Sequence, residues 1–363
     1  MQQPTNVSPT GNHAGPDHQA IDLPRLQNWL SEHLVDFQGP LTLQKFAGGQ
    51  SNPTYQLITP RQSYVMRSKP GPVSRLLPSA HAIEREFKVM SALASTQVPV
   101  AKMLALCEDE SVIGRAFYIM EFVSGRVFWD QSLPELTPTQ RREVYLAMNS
   151  TLAALHTVDP ASIGLADYGK PGNYFERQIS RWSKQYQASV TDPIPEMDKL
   201  MAWLPTHIPA SARNDSINAI VHGDFRLDNL MFSPTEPSVR AVLDWELSTL
   251  GHPLADFSYH CMSWHIQPGV FRGIQGLDLP SLGIPSEDEY IALYCAKTGF
   301  ITPEQLQPDW PFYLAYNMFR LAAILQGIAK RVQAGTASSA KAIESAAGAR
   351  PLAQSAWRMV QAS

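Results

Sequence analysis

Two short stretches, Val221-His-Gly-Asp-Phe-Arg-Leu-Asp-Asn229 and Ala241-Val-Leu-Asp-Trp245, carry three oxygen-bearing side chains at telling intervals. Asp224 follows a His-Gly turn, Asn229 comes five residues later, and Asp244 fifteen residues after that. Between Asn229 and Asp244, the apolar runs Leu230-Met-Phe232 and 239–243 are separated by Ser233-Pro-Thr-Glu-Pro-Ser238. Two β-prone runs joined by a Pro-rich polar turn read as a hairpin, which would bring Asn229 and Asp244 to one end beside Asp224. That set suits phosphoryl transfer. One carboxylate orients a hydroxyl and takes its proton, while an amide and a second carboxylate hold Mg2+ on the phosphates of a nucleotide. A lone Gly-Asp is ordinarily a turn, and a lone Asp before Trp a cap or surface charge. The spacing of the whole set is what speaks for chemistry.

The elements that must position these residues fall into a β-rich part and a helical part. Residues 1–20, rich in Gln, Pro, Asn, Gly and His, read as a disordered leader. Asp22 then caps a short helix with Leu26, Trp29, Leu30 and Leu34 at helical spacing. Strands are predicted over 41–46, 54–59 and 63–67, a helix over 82–93, and two more strands over 103–106 and 116–122. Gly48-Gly-Gln-Ser-Asn52 lies between the first two strands. Gly48 and Gly49 allow close backbone approach, and Ser51 and Asn52 add donors for phosphate oxygens. A Gly-Gly pair also serves as a plain hairpin turn. The boundary falls near Ser124-Gly125. Beyond it, helices are predicted over 139–156, 174–190, 256–264, 287–298, 311–332 and 338–359, with a Pro-rich loop over 205–212. There is no internal repeat and no G-x-x-x-x-G-K-[ST] run, so a P-loop fold is not supported.

With these motifs in view, the chain resembles the aminoglycoside phosphotransferase superfamily, relatives of protein kinases, from about residue 41 to at least 331. The segments Gly48-Gly-Gln-Ser-Asn-Pro-Thr54, Tyr64-Val-Met-Arg-Ser-Lys-Pro70, Arg226-Leu-Asp-Asn-Leu230 and Asp244-Trp-Glu-Leu-Ser-Thr-Leu-Gly-His-Pro-Leu-Ala-Asp256 match a particular branch. In that branch the kinase-like domain is, in some larger proteins, fused to an acyl-CoA dehydrogenase; a chain of 363 residues is too short to hold a dehydrogenase as well. The resemblance implies an α+β, two-lobed, protein-kinase-like fold. Residues 21–123 would form a nucleotide-binding lobe, a five-stranded antiparallel sheet with one helix after the third strand. Residues 124–363 would form a larger, mostly helical lobe with the catalytic loop and acceptor site.

The same resemblance implies ATP and Mg2+ as cofactors, Asp224 as base, and Asn229 and Asp244 as metal ligands. His222 would brace the catalytic turn through backbone contacts, and Asp256 would support it from the next helix. His252 stands where many relatives have an acidic residue. The third strand should offer a Lys to the phosphates, yet Arg67 occupies that place, with Lys69 as the fallback; the two cations are not interchangeable. Glu86 on the following helix is the implied ion-pair partner of Arg67, and Glu84, two residues away, faces elsewhere. The backbone of Glu121 and Val123 would form the hinge that meets the adenine edge; a plain interlobe strand is the alternative.

The acceptor is less legible. Arg320 lies on an otherwise apolar helix and needs either a buried partner or a substrate anion. Tyr174, Arg177, Arg181 and Trp182 share one amphipathic helix and either line the acceptor cleft or pack in the core. That helix carries Arg177, Arg181 and Lys184 against Glu176, which favours an anionic or acyl-type small-molecule alcohol, such as a hydroxyacyl-CoA, over a polycationic aminoglycoside.

Bulk properties narrow the classes. The net charge is −4 and the pI about 6.2, which lacks the basic footprint of a nucleic-acid partner. The most apolar long stretch, 312–329, is broken by Asn317, Arg320 and Gln326, so it reads as a buried helix and no membrane partner is expected. Cys107, Cys261 and Cys295 are widely spaced and no signal peptide precedes them, which favours a reduced, cytoplasmic setting. Trp245-Glu-Leu replaces the Phe-Gly of protein kinases after Asp244, and no Ala-Pro-Glu anchor follows. A small-molecule kinase is the leading reading. A nucleotide-binding pseudokinase with a regulatory role and an aminoglycoside kinase are the alternatives, and the oligomeric state is not encoded.

Overall fold

The computed structural model describes residues 21–46, 52–70, 82–170, 172–214, 217–336 and 340–362. The expected leader and Gly48, Gly49 and Ser51 lie outside the described residues. In chain order the first elements are α1 (Leu23–His33), β1 (Thr42–Lys45), β2 (Thr54–Ile58), β3 (Ser63–Ser68), α2 (Ile83–Leu93), β4 (Met103–Cys107) and β5 (Phe117–Glu121). Then come α3 (Pro138–His156), α4 (Tyr174–Ser189), α5 (Pro195–Trp203), β6 (Ala219–Val221), β7 (Leu230–Phe232), β8 (Val239–Val242) and β9 (Thr249–Gly251). The last are α6 (Pro253–Cys261), α7 (Leu279–Leu282), α8 (Glu287–Thr298), α9 (Pro303–Leu306), α10 (Trp310–Gln333), α11 (Ala340–Ala346) and α12 (Ala349–Ala362). Two compact units result. The first runs to Val127 and includes Ile163–Leu165 and Asp228–Ser248; the second holds Phe128–Ser162, Ala166–Leu227 and Thr249–Ser363.

In the first unit the five strands form one antiparallel sheet in the order β1-β2-β3-β5-β4. Alternation along β5 sets its two faces. Phe117 and Ile119 pack with Leu57, Met66 and the α1 residues Leu26 and Leu30, while Tyr118 packs with Ile83 of α2. Full burial of a side chain such as Phe117 contributes roughly 1.5–3 kcal/mol. On α2 the buried positions Ile83, Glu86, Met90 and Leu93 recur at helical spacing, so Glu86 is carried inside by the phase of an otherwise apolar face. Glu84, off that face, pairs with Lys69 instead.

The hairpin β7–β8 exists as expected, with Leu230 opposite Val242, but it belongs to the first unit and not to the helical part beyond residue 124. Backbone bonds explain this. Arg126 and Phe232 exchange N–H···O bonds at 2.8 Å, and the Val242 N–H donates to the Pro99 carbonyl at 2.8 Å. Gly125 permits that approach, since a Cβ there would lie 2.3 Å from the Phe232 carbonyl oxygen.

The second unit is helical, with a two-stranded antiparallel sheet of β6 and β9. Helix α3 starts where Thr137 and Gln140 form a reciprocal capping box around Pro138. Every residue of α6 is buried, and α10 is buried continuously from Phe312 to Ala323, as a helix apolar on all sides must be. Among the described residues no helix is long and apolar enough to cross a membrane. Two expectations shift. The helix expected over 256–264 begins at Pro253 behind a His252 cap and ends in a 3-10 turn. The helix expected over 338–359 is interrupted at Gly348, which lies against Leu325. Helix α5 and the strands β6 and β9 were not anticipated.

Candidate active site

The sequence-predicted residues are divided between the units, and each half is built from its own elements. In the first unit Arg67 projects from β3, in register with Thr54 on one side and Tyr118 on the other. Its Nε lies 3.0 Å from Glu86 Oε2, and its Nη2 lies 2.8 Å from Asp244 Oδ1 and 3.5 Å from Glu246 Oε2. One largely buried guanidinium therefore faces three carboxylates. Burial disfavours its charge, but Glu86, Asp244 and Glu246 outweigh that and hold Arg67 protonated above its ordinary range. Burial pushes the Glu86 carboxyl up, against the pull of Arg67, the Tyr118 hydroxyl at 3.1 Å and the Asn52 amide at 2.8 Å.

That last contact gives Asn52 a structural task. The side chain is fully buried and its amide donates to Glu86, so it braces the ion pair just ahead of β2. Lys69 pairs with Glu84 at the partly exposed edge. The Glu121 N–H donates to the Lys102 carbonyl at 2.9 Å. Val123 follows two residues later, half-buried.

Asn229 and Asp244 flank the open end of the β7–β8 hairpin, where the Leu243 N–H donates to the Asn229 carbonyl at 2.8 Å. Asp244 adopts φ 63°, ψ 62°, a left-handed conformation uncommon for a residue with a Cβ and better tolerated by Asp than by most. Strain of this kind, of order 1–3 kcal/mol, persists where the surroundings hold the residue, as Arg67 does here. The donor set of one carboxylate and one amide is all oxygen and incomplete. It fits Mg2+, which prefers hard oxygen ligands and keeps several waters and phosphate oxygens.

In the second unit Asp224 sits on the turn that leaves β6. Gly223, at φ 84°, takes the conformation that lets the chain reverse there. Asp256, fully buried on α6, accepts from the N–H groups of both His222 and Gly223, the latter at 2.7 Å, and lies 3.4 Å from His156 Nε2. Burial works to raise the Asp256 carboxyl, yet the His156 ring and these backbone donors hold it below the usual range, so it stays ionised. His222 Nδ1 accepts from the Asp224 N–H at 3.2 Å, the bracing role expected of it. The Asp224 carboxylate accepts from the Tyr259 hydroxyl at 2.6 Å and lies 3.2 Å from Arg226 Nη2.

His252 caps α6. Its Nδ1 accepts from Leu254 N–H at 3.3 Å and its Nε2 reaches the Ser211 carbonyl at 3.0 Å, a pattern that requires the neutral ring. Burial lowers its pKa to about 4. On α4, Trp182 is buried, Tyr174 half-buried, and Arg177 donates to the Lys170 carbonyl at 2.8 Å; Arg181 and Lys184 are exposed. Arg320 donates to a backbone carbonyl, that of Gly223, and lies against two aromatic faces.

Two residues escaped the sequence reading. Tyr259 lies three residues after Asp256 on α6, the spacing that puts both on one face, so helical phase was the available signal. Glu246, two residues after Asp244, had no periodic signal because it sits on a single 3-10 turn.

A five-stranded antiparallel sheet with a buried Arg–Glu pair, a hairpin bearing Asn and Asp, and a helical unit bearing a braced His-Gly-Asp turn define a phosphotransferase of the protein-kinase-like fold. The model of the Phosphotransferase enzyme family matches residues 42–290, and the chain belongs to that family. It is 47% identical over 321 residues to acyl-CoA dehydrogenase family member 10 of Mus musculus, an alignment covering 88% of this chain and 29% of that protein. This chain thus spans under a third of that relative's length. A crystal structure from Ralstonia eutropha JMP134, under an aminoglycoside phosphotransferase label, is 61% identical with a TM-score of 0.85, covering 94% of this chain and 98% of that one. A thermostable mutant of aminoglycoside phosphotransferase APH(4)-Ia, in ternary complex with AMP-PNP and hygromycin B, is 14% identical with a TM-score of 0.59 over 93% of this chain and 99% of that one. At that identity it shows the fold alone.

Proposed function

We propose that this chain moves the γ-phosphate of ATP to a hydroxyl of a small molecule, with Mg2+. The observation that carries the reading is Arg67, which grips Glu86 with one nitrogen and Asp244 with another. Arg at this position therefore keeps the strand-to-helix ion pair that phosphoryl-transfer folds of this class require. Asn229 and Asp244 would hold the ion, which when bound neutralises charge on the phosphates. Gly48, Gly49, Ser51 and Asn52 would serve the phosphates, and the Glu121 carbonyl and Val123 N–H the base. Asp224 accepts the hydrogen bond, and then the proton, of the acceptor hydroxyl; general-base assistance of this kind is worth roughly 10²–10⁴ in rate.

The acceptor is an anionic, acyl-bearing alcohol, and a hydroxyacyl-CoA is the form to test first. Arg181 and Lys184 stand exposed on α4, which supports an anion over a polycation. The relative named for acyl-CoA dehydrogenases supports acyl chemistry. The test is transfer of γ-labelled phosphate from Mg-ATP to hydroxyacyl-CoAs, sugars, amino alcohols and aminoglycosides, with Asp224→Asn in parallel. Transfer to a hydroxyacyl-CoA that falls at least 10²-fold in the variant is the expected outcome. Tight Mg-ATP binding without transfer to any acceptor would replace this reading with a regulatory nucleotide-binding module.

A further inference from the structure

We infer that Tyr259 and Arg320 are positioning residues for Asp224: the phenol fixes the plane of its carboxylate, and the guanidinium fixes the backbone that carries it. The inference rests on Asp224 being the base and adds two residues that neither the motif nor the family match assigns. The turn 222–224 is gripped at distinct points. Asp256 takes the N–H groups of His222 and Gly223, and Arg320 Nη2 donates to the Gly223 carbonyl. The Tyr259 hydroxyl donates to Asp224 Oδ1 at 2.6 Å. These grips originate on two helices that are themselves tied, since Asn317 on α10 donates to the Ala255 carbonyl at 3.0 Å and to Ser258 Oγ at 2.7 Å on α6.

Arg320 and Tyr259 also hold each other. The guanidinium carbon lies 5.2 Å from the Tyr259 ring centroid and 5.6 Å from that of Trp182, so its orientation is set by two aromatic faces. Tyr259 is 6% exposed, and burial followed by the charge of Asp224 pushes its phenol well above the ordinary range. It therefore keeps its proton and stays a donor. A buried donor that holds its proton suits a residue whose task is to aim a carboxylate. By contrast Arg226, the other cation at Asp224, is about a quarter exposed and two residues along the same loop.

A buried arginine could instead be a structural plug, and the experiment is chosen to tell the difference. Tyr259→Phe keeps the ring under Arg320 and deletes only the hydroxyl. Turnover of Mg-ATP is measured with water as acceptor and with any alcohol the panel identifies, alongside Asp224→Asn. For Tyr259→Phe the expected result is a fall in kcat of about 10- to 100-fold, the scale on which loss of alignment acts. The KM for Mg-ATP and the thermal midpoint stay near wild type. Arg320→Lys, which still reaches the Gly223 carbonyl, should recover part of what Arg320→Met loses. In a crystal structure of Tyr259→Phe the Asp224 carboxylate should turn out of its wild-type plane. Wild-type kcat in Tyr259→Phe with an inactive Asp224→Asn overturns the inference and leaves the base assignment standing. Wild-type turnover in Asp224→Asn removes the base assignment and the inference with it. Parallel losses in kcat, KM and thermal midpoint, or an unmoved carboxylate, mark a structural role and overturn it as well.

Discussion

Arg67 and Arg320 are both buried guanidinium groups, and the two units neutralise them in opposite ways. Arg67 has Glu86, Asp244 and Glu246 around it, so the cluster carries more negative than positive charge. Arg320 has two aromatic faces and one carbonyl. The first arrangement is unfinished, for an excess of carboxylate calls for a further cation. The second relies on a carbonyl and two rings, with the Asp224 charge also acting on it. A charge matched by charges serves to gather ligands, whereas one matched by dipoles and π faces serves to hold a scaffold still. His252 and His260 extend the second pattern, since burial lowers both to about 4 and the interior of that unit keeps them neutral.

The largest separation between the two regions should come from truncating each arginine to Met. Arg67→Met strands the buried Glu86 carboxylate, and breaking a buried ion pair from one side costs about 3–5 kcal/mol. Arg320→Met leaves one carbonyl without its donor, a loss of about 1–3 kcal/mol. Urea denaturation of the two variants measures the gap. Equal losses would mean that the Asp224 charge balances Arg320 as fully as Glu86 balances Arg67, and the contrast would fail.

The pH dependence of stability probes the same contrast from the second unit. A base whose folded pKa is depressed stays neutral in the fold while the unfolded chain protonates. Its contribution is therefore complete above about 6.5, is lost as pH falls towards 4, and changes no further below that. Each such histidine carries up to about 3 kcal/mol over that window. His252→Asn, which retains a capping side chain, should remove its share and flatten the fall in thermal midpoint between pH 6.5 and 4. A curve as steep as wild type would show that the ring is charged, and that this interior is less hostile to charge than Arg320's surroundings suggest.

Much of this was open to reading from residue order, and the remainder fails for physical reasons. The hairpin announced itself through two apolar runs and a Pro-rich turn, and Glu86 through its phase on an apolar helix face; both effects are local. The α8 helix was bounded correctly at Glu287 and Thr298 because Ser286 and Gly299 cap it. Strands β6 and β9 are three residues each, too short to show a period, and exist because they pair with each other. The hairpin's allegiance to the first unit depends on bonds to Arg126 and Pro99 more than a hundred residues away. Asn52 reads as a loop donor until the fold turns it onto Glu86. Arg320's need for a partner was evident, but a carbonyl and two rings have no signature in residue order.

A third cation sharpens the contrast from its weak end. Lys69 was the fallback for the phosphate-binding role, and it sits two residues past Arg67 on the same segment, paired with Glu84. Both partners are about a third exposed, so water and salt screen the pair, and such contacts are worth about 0–1 kcal/mol. Lys69→Ala should shift the urea midpoint slightly, lose even that shift in high salt, and leave the KM for Mg-ATP within about twofold of wild type. The reason is strand alternation: residues two apart share a face, yet Arg67 lies where that face meets α2 and Lys69 lies beyond the end of β3. A tenfold rise in KM would transfer the nucleotide-binding role to Lys69, and would leave Arg67 as a cation fully spent on Glu86 and Asp244.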